Sequence, residues 1–144
     1  MGDGIVRWRM LKLPAPLYAE IVGHCLRGLP DEACGLLGGD PDSGSVVRCY
    51  PTRNAAASAK LYTVDPREHL FADRDAESRG LQIIGVFHSH THTDAYPSPT
   101  DVAQAPDPGW HYVVVSLRDS SPTLRSYRIE GEAITEESVV VGPG

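Results

Sequence analysis

Residues 84–102, IGVFHSHTHTDAYPSPTDV, decide how this chain is read. The run that leads into the histidines, Leu81-Gln82-Ile83-Ile84-Gly85-Val86-Phe87, is apolar and β-branched and predicts a buried strand. On extended backbone, side chains at i and i+2 point to the same face. His88 and His90, at the end of that strand, are therefore set to converge on one ion, with Asp101 as a third ligand from the far side of the loop. Two histidines, one carboxylate and an open fourth position make the layout of a catalytic zinc site. The segment Ser98-Pro99-Thr100-Asp101 also reads as a helix start, with Ser at N-cap, Pro at N1 and an acid at N3. A plain capping role for Ser98 and Asp101, in a short helix through Ala105, stands beside the metal reading. The two are compatible, because a serine hydroxyl can accept a helix N–H while donating to a reacting oxygen.

Working outward, Ile5 to Leu13 is strand-like. Pro14 and Pro16 then open a helix whose apolar positions Leu17, Ile21, Val22, Cys25 and Leu26 follow helical spacing, with Gly28 and Pro30 ending it. Glu32 stands at the entrance to a strand over 33–37 that Gly38-Gly39 closes. Asp40 to Gly44 is a turn before a strand at 45–50. Residues 51–60 read as loop, Tyr62 to Val64 as a short strand, and Pro66 opens a second helix ending near Gly80. Strands follow at His111 to Leu117, Thr123 to Glu130 and Ile134 to Val141, and the tail Val141-Gly142-Pro143-Gly144 reads as loose. Strands mixed with two long helices and a short one predict an α/β domain, a mixed sheet with helices packed on it.

Composition bounds the function. At 144 residues with 41% apolar content, the whole chain is expected to form one domain around a single core. A net charge of −6, with no basic run, argues against nucleic acid as a partner. The three cysteines, Cys25, Cys34 and Cys49, lack metal-finger spacing and suggest no disulfide framework, which points to a reducing cytoplasm. Met1-Gly2-Asp3-Gly4 carries no signal pattern, Val6 breaks the myristoylation pattern, and no apolar stretch reaches bilayer-spanning length, so no membrane role is expected. Oligomeric state is left open.

The arrangement resembles the JAMM (MPN-plus) metallopeptidases, whose motif is an upstream Glu followed by His-x-His-x7-Ser-x2-Asp. The upstream Glu maps onto Glu32, in Pro30-Asp31-Glu32-Ala33-Cys34-Gly35. The resemblance implies that His88, His90 and Asp101 hold Zn2+, that Glu32 is the general base, and that Ser98 stabilises the oxyanion. It extends over roughly residues 5–141, through His88 to Thr91, Ala95 to Ser98, Thr100 to Val102, His111 to Ser116 and Leu124 to Ile129. Over those segments the chain looks like bacterial members of the family that act on a sulfur-carrier protein. The fold so implied is the αβα sandwich related to that of cytidine deaminases. The implied reaction is hydrolysis after the C-terminal Gly-Gly of a small ubiquitin-like carrier, releasing cysteine for cysteine biosynthesis or a short extension. Members specific for ubiquitin chains carry long insertions, whereas here Val102 to Trp110 is a short loop.

Other readings carry less. A broader deconjugase or isopeptidase of ubiquitin-like modifiers is the alternative within peptidases. A catalytically silent MPN scaffold would show a broken motif, and this one is intact. A zinc deaminase needs His-x-Glu and Pro-Cys-x-x-Cys, and neither is present; nor is HExxH. His92 is read as outside the ligand set, His111 as a core histidine, His24 and His69 as surface residues, and Cys34 as a small buried strand residue. Asn54, Tyr62 and Tyr96 are candidates to line a channel for the Gly-Gly tail, although turn and core roles explain Asn54 and Tyr62 equally well.

Overall fold

The computed structural model describes residues 10–143. The strand expected from Ile5 is seen from Met10 onward, and residues 5–9 lie outside the described part. In chain order the elements are β1 (Met10–Pro14), α1 (Ala15–Gly28), β2 (Cys34–Asp40), β3 (Ser45–Thr52), α2 (Pro66–Ser78), β4 (Gln82–His90), α3 (Pro99–Ala103), β5 (His111–Ser116), β6 (Thr123–Glu130) and β7 (Ala133–Gly142).

The seven strands lie in the order β1-β3-β2-β4-β5-β6-β7 and the sheet closes on itself. It is mixed: β4 and β5 run parallel, as do β1 and β7, while β2–β3, β2–β4, β5–β6 and β6–β7 are antiparallel. Closure comes from β1, which pairs with β7 from Met10↔Ser138 to Pro14↔Gly142 and meets β3 only at Lys12↔Ser45. That pairing corrects the expectation of a loose tail, since Val141 and Gly142 complete the β1 ladder. No helix among the described residues is long and apolar enough to cross a membrane.

Period-2 alternation, broken at Ile84 where the β2–β4 register shifts, sorts the strand residues into two apolar layers. Leu37, Ile84, Phe87, Val113 and Val115 pack with Ile21 and Cys25 of α1. Leu36, Val86, Tyr112 and Val114 pack with Ala72 and Ala76 of α2. The close fit needs a glycine at Gly35, where a Cβ would lie 2.4 Å from the Phe87 ring. The second helix is well started: Pro66 occupies the first turn, and the Asp65 carboxylate accepts from the Arg67 and Glu68 amides.

One expected strand is absent. Around Tyr62 only a single bridge forms, Asn54 with Val64. The Asn54 side chain instead takes up the backbone groups of Ala56, Leu61 and Thr63, so no ladder is needed there.

Candidate functional site

Strand β4 carries Val86, His88 and His90 on the face that meets α2, and Phe87 and Ser89 on the face that meets α1. Its C-terminal end therefore places two imidazoles side by side, Nε2 to Nε2 3.1 Å, with His88 3% and His90 4% exposed. Helix α3 brings the third group. Asp101 Oδ2 lies 3.1 Å from His88 Nε2 and 3.0 Å from His90 Nε2. The potential ligand atoms of His88, His90 and Asp101 all lie within 4.8 Å of one another.

The capping reading of Ser98 and Asp101 holds alongside this convergence. Ser98 Oγ accepts from the Asp101 amide at 3.1 Å, and the Ser98 amide donates to Asp101 Oδ2 at 2.9 Å. This capping box fixes the carboxylate on the pair of histidines. The hydroxyl proton of Ser98 has no partner assigned by this box and can still be donated.

Further contacts orient these three groups. His90 Nδ1 is 2.8 Å from the Asp94 carbonyl oxygen, which can only accept. Nδ1 therefore carries the proton in the neutral ring, and the Nε2 lone pair faces Asp101. The His88 ring is stacked on Tyr62, centroids 4.2 Å apart and planes 19° apart. Burial and charge act in opposite directions across the three groups. Burial works against the Asp101 charge, yet the neighbouring His88 and His90 rings and the Ser98 amide hold its carboxyl well below the usual range. Burial lowers the His88 imidazole despite Asp101. For His90, burial also pulls down, but Asp101, the Asp94 carbonyl and Glu32 together raise it. A donor set of two imidazole lone pairs and one ionised carboxylate, gathered in a buried spot, fits a divalent metal ion.

Glu32 reaches the same place through strand register. Cys34 sits opposite His88 in the β2–β4 pair. Carried two residues further, the same register sets Glu32 opposite His90 and on the same face. The continuation is held at Ala33, whose carbonyl accepts from the Ser89 amide at 2.9 Å and whose amide donates to Ser89 Oγ at 2.8 Å. Glu32 is 5% exposed, and its Oε1 is buried without a hydrogen-bond partner. Burial pushes its carboxyl up to about 7, with His90 opposing and Asp101 adding to the rise. A buried carboxyl poised near neutrality beside a metal-binding donor set is suited to move protons.

The remaining candidates separate clearly. His92 is exposed, lies outside the three-residue group, and bonds through Nδ1 with Thr91 Oγ1 at 2.8 Å. His111 is a core histidine, 1% exposed, with Nδ1 2.6 Å from Glu137 Oε2. His69 is half-buried and faces Asp73 at 3.5 Å. His24 corrects the surface expectation: it is half-buried, with Nε2 3.0 Å from the Cys34 carbonyl and 3.2 Å from that of Thr52. Cys34 is fully buried and its thiol is pushed up to about 11, which removes it as a nucleophile. Asn54 and Tyr62 turn inward, to loop backbone and to His88, while Tyr96 is 54% exposed. Sequence reading missed Ser89 and Asp94. The signal for Ser89 was a lone polar residue on the apolar side of a buried strand.

A sequence profile describing prokaryotic homologues of the JAB domain matches residues 14–130. The chain is 44% identical over 133 residues to the CysO-cysteine peptidase of Mycobacterium tuberculosis, covering 92% of this chain and 91% of that protein. It is 33% identical to a desampylase of Haloferax volcanii, covering 91% and 96% of the two chains. The solution structure of a protein from Desulfitobacterium hafniense superimposes with a TM-score of 0.86 at 36% identity, covering 94% of each chain. By the extent of these matches along the chain, it belongs to the family of prokaryotic homologues of the JAB domain.

Proposed function

We propose that this chain is a zinc-dependent peptidase that hydrolyses the bond following the C-terminal Gly-Gly of a small ubiquitin-like sulfur-carrier protein. It releases cysteine, or a short C-terminal extension, in the cytoplasm. The observation that carries the chemistry is the buried convergence of His88, His90 and Asp101 beside the unpaired carboxyl of Glu32. The choice of substrate is supported by the 44% identity to a CysO-cysteine peptidase.

His88 Nε2, His90 Nε2 and Asp101 Oδ2 are the ligands. When bound there, zinc would polarise the scissile carbonyl and bring the pKa of bound water to about 7. Glu32 is the general base. It accepts the proton of the attacking water and returns it to the departing amine nitrogen, so that the C–N bond breaks and carboxyl and amine result. The Ser98 hydroxyl donates to the carbonyl oxygen as negative charge develops there.

The test is the intact mass of a Gly-Gly carrier bearing a C-terminal cysteine, after incubation with zinc-loaded protein, with Glu32→Gln as control. Loss of the cysteine mass with wild type alone supports the assignment. An uncut carrier with zinc bound overturns the substrate choice. The likeness to a desampylase favours a second reading, a broader deconjugase of ubiquitin-like modifiers. Cleavage of an isopeptide-linked carrier conjugate at a comparable rate would select it.

A further inference from the structure

The Glu32 carboxyl is buried, yet Oε1 has no hydrogen bond to set its direction. Its backbone is held on both sides. The Glu32 amide donates to the Ser58 carbonyl at 2.8 Å, and Asn54 Nδ2 donates to the Glu32 carbonyl at 2.9 Å. The same Nδ2 donates to the Leu61 carbonyl at 3.0 Å, while Asn54 Oδ1 accepts from the Ala56 and Thr63 amides at 3.0 and 2.9 Å. One carboxamide thus closes loop 54–63 on itself and fastens it to Glu32. The other side of that loop reaches the metal ligands. Tyr62 is stacked on His88, and the Ala59 carbonyl accepts from Thr91 Oγ1 at 3.1 Å.

We propose that Asn54 is a positioning residue for Glu32, holding the backbone from which the carboxyl is aimed and locking it, through loop 54–63, to the His88 side of the site. The proposal rests on Glu32 as general base. Asn54 acts through Glu32 and not on substrate: its side-chain hydrogen bonds are to the backbone of residues 32, 56, 58, 61 and 63. An unbonded carboxyl inherits its position from its own main chain, and reacting groups displaced by about 1 Å lose on the order of 10²-fold in rate.

The experiment compares zinc-loaded wild type, Asn54→Ala and the near-isosteric Asn54→Asp on the cysteine-bearing carrier. Asn54→Asp keeps the acceptor facing Ala56 and Thr63 but loses both donors, so it carries the test if Asn54→Ala fails to fold. Both variants should hold one zinc per chain, lose on the order of 10²-fold in kcat, and keep KM within about threefold. Binding of intact carrier to Glu32→Gln and to Glu32→Gln/Asn54→Ala should agree within about twofold, since Asn54 does not touch it. A kcat within about threefold of wild type, or a loss carried by KM and by carrier binding, overturns the proposal. Normal turnover by Glu32→Gln would overturn Glu32 as base, and the proposal with it. An inactive Glu32→Gln beside fully active Asn54 variants overturns the proposal alone.

Discussion

Replacing Ser89 by Ala tests whether the link between β2 and β4 is as tight as its geometry states. Ser89 is fully buried between the two histidines, and its Oγ accepts from the Ala33 amide at 2.8 Å. It also bonds to Cys25, a weak sulfur partner whose loss adds little. Removing the hydroxyl leaves the Ala33 N–H buried without a partner, which costs about 1–3 kcal/mol. At roughly 2.1 cal/mol/K per residue, 144 residues give an unfolding entropy of about 0.3 kcal/mol/K. The expected fall in Tm is therefore roughly 3–10 °C. Calorimetry or a dye melt of the zinc-free protein reads it directly. Because Ala33 follows Glu32, turnover well below Tm should fall as well, mainly in kcat. A Tm within about 1 °C of wild type would show that the Ala33 amide is satisfied elsewhere. A lowered Tm with unchanged kcat would show that the backbone at Ala33 does not govern the aim of Glu32.

His88→Ala and Asp101→Ala should each abolish stoichiometric zinc by metal analysis and, with it, turnover. Zinc at a hundredfold its Kd should add about 2.7 kcal/mol to wild-type stability, or about 9 °C in Tm, and nothing to Asp101→Ala. Glu32→Gln should keep the metal and lose on the order of 10²–10⁴-fold in rate; retained turnover removes Glu32 as the base. Burial moves the Glu32 carboxyl from 4.5 to about 7 on folding, so the stability its neutral form contributes is full below pH 4.5 and is lost as pH rises through 7. Metal-free Glu32→Gln, whose amide does not ionise, should therefore gain in Tm over metal-free wild type between pH 5 and 8; a pH-independent difference refutes this. Burial pushes the Cys34 thiol up to about 11 and those of Cys25 and Cys49 up to about 12. Native protein should thus resist alkylation at pH 8 and keep its activity, as mass spectrometry and the cleavage assay will report.

Much of the fold was legible where local signals and tertiary partners agree. The apolar run before His88 is β4, Pro66 opens α2, and the limits of β6 are those read from Thr123 to Glu130. The misreadings share a cause: the backbone or side chain found a partner distant in sequence, or of another kind. Gly142, past the expected strand end at Val141, read as tail because its ladder partner is Pro14, at the other end of the described chain. Tyr62 read as strand because its composition suits one, but Asn54 supplies the loop with side-chain hydrogen bonds in place of a ladder. His24 read as an exposed helical position because the carbonyls it meets, of Cys34 and Thr52, belong to strands not yet built at that point in the chain.

The candidate site was legible as a list of residues, and its geometry has a simple origin that the list does not contain. His88 and His90 share a face by strand alternation, and Ser98 is joined to Asp101 by a one-turn cap, so each of these two pairs is set by local spacing. Glu32 is different. It stands 56 residues before His88 in sequence, and only the antiparallel register that sets Cys34 opposite His88 brings it abreast of His90. A slip of one residue in that register would turn Glu32 to the α1 face. The β2–β4 ladder does shift, between Leu37 and Gly38, but on the side away from the site. Between Cys34 and Leu37 the pairing is regular, and the two bonds of Ser89 to Ala33 extend it to the doorstep of Glu32. The irregularity of the sheet is thus kept four residues or more from the carboxyl whose direction matters. The polar side chain that pins the register belongs to the residue between the two histidines in sequence, on the opposite face of the strand.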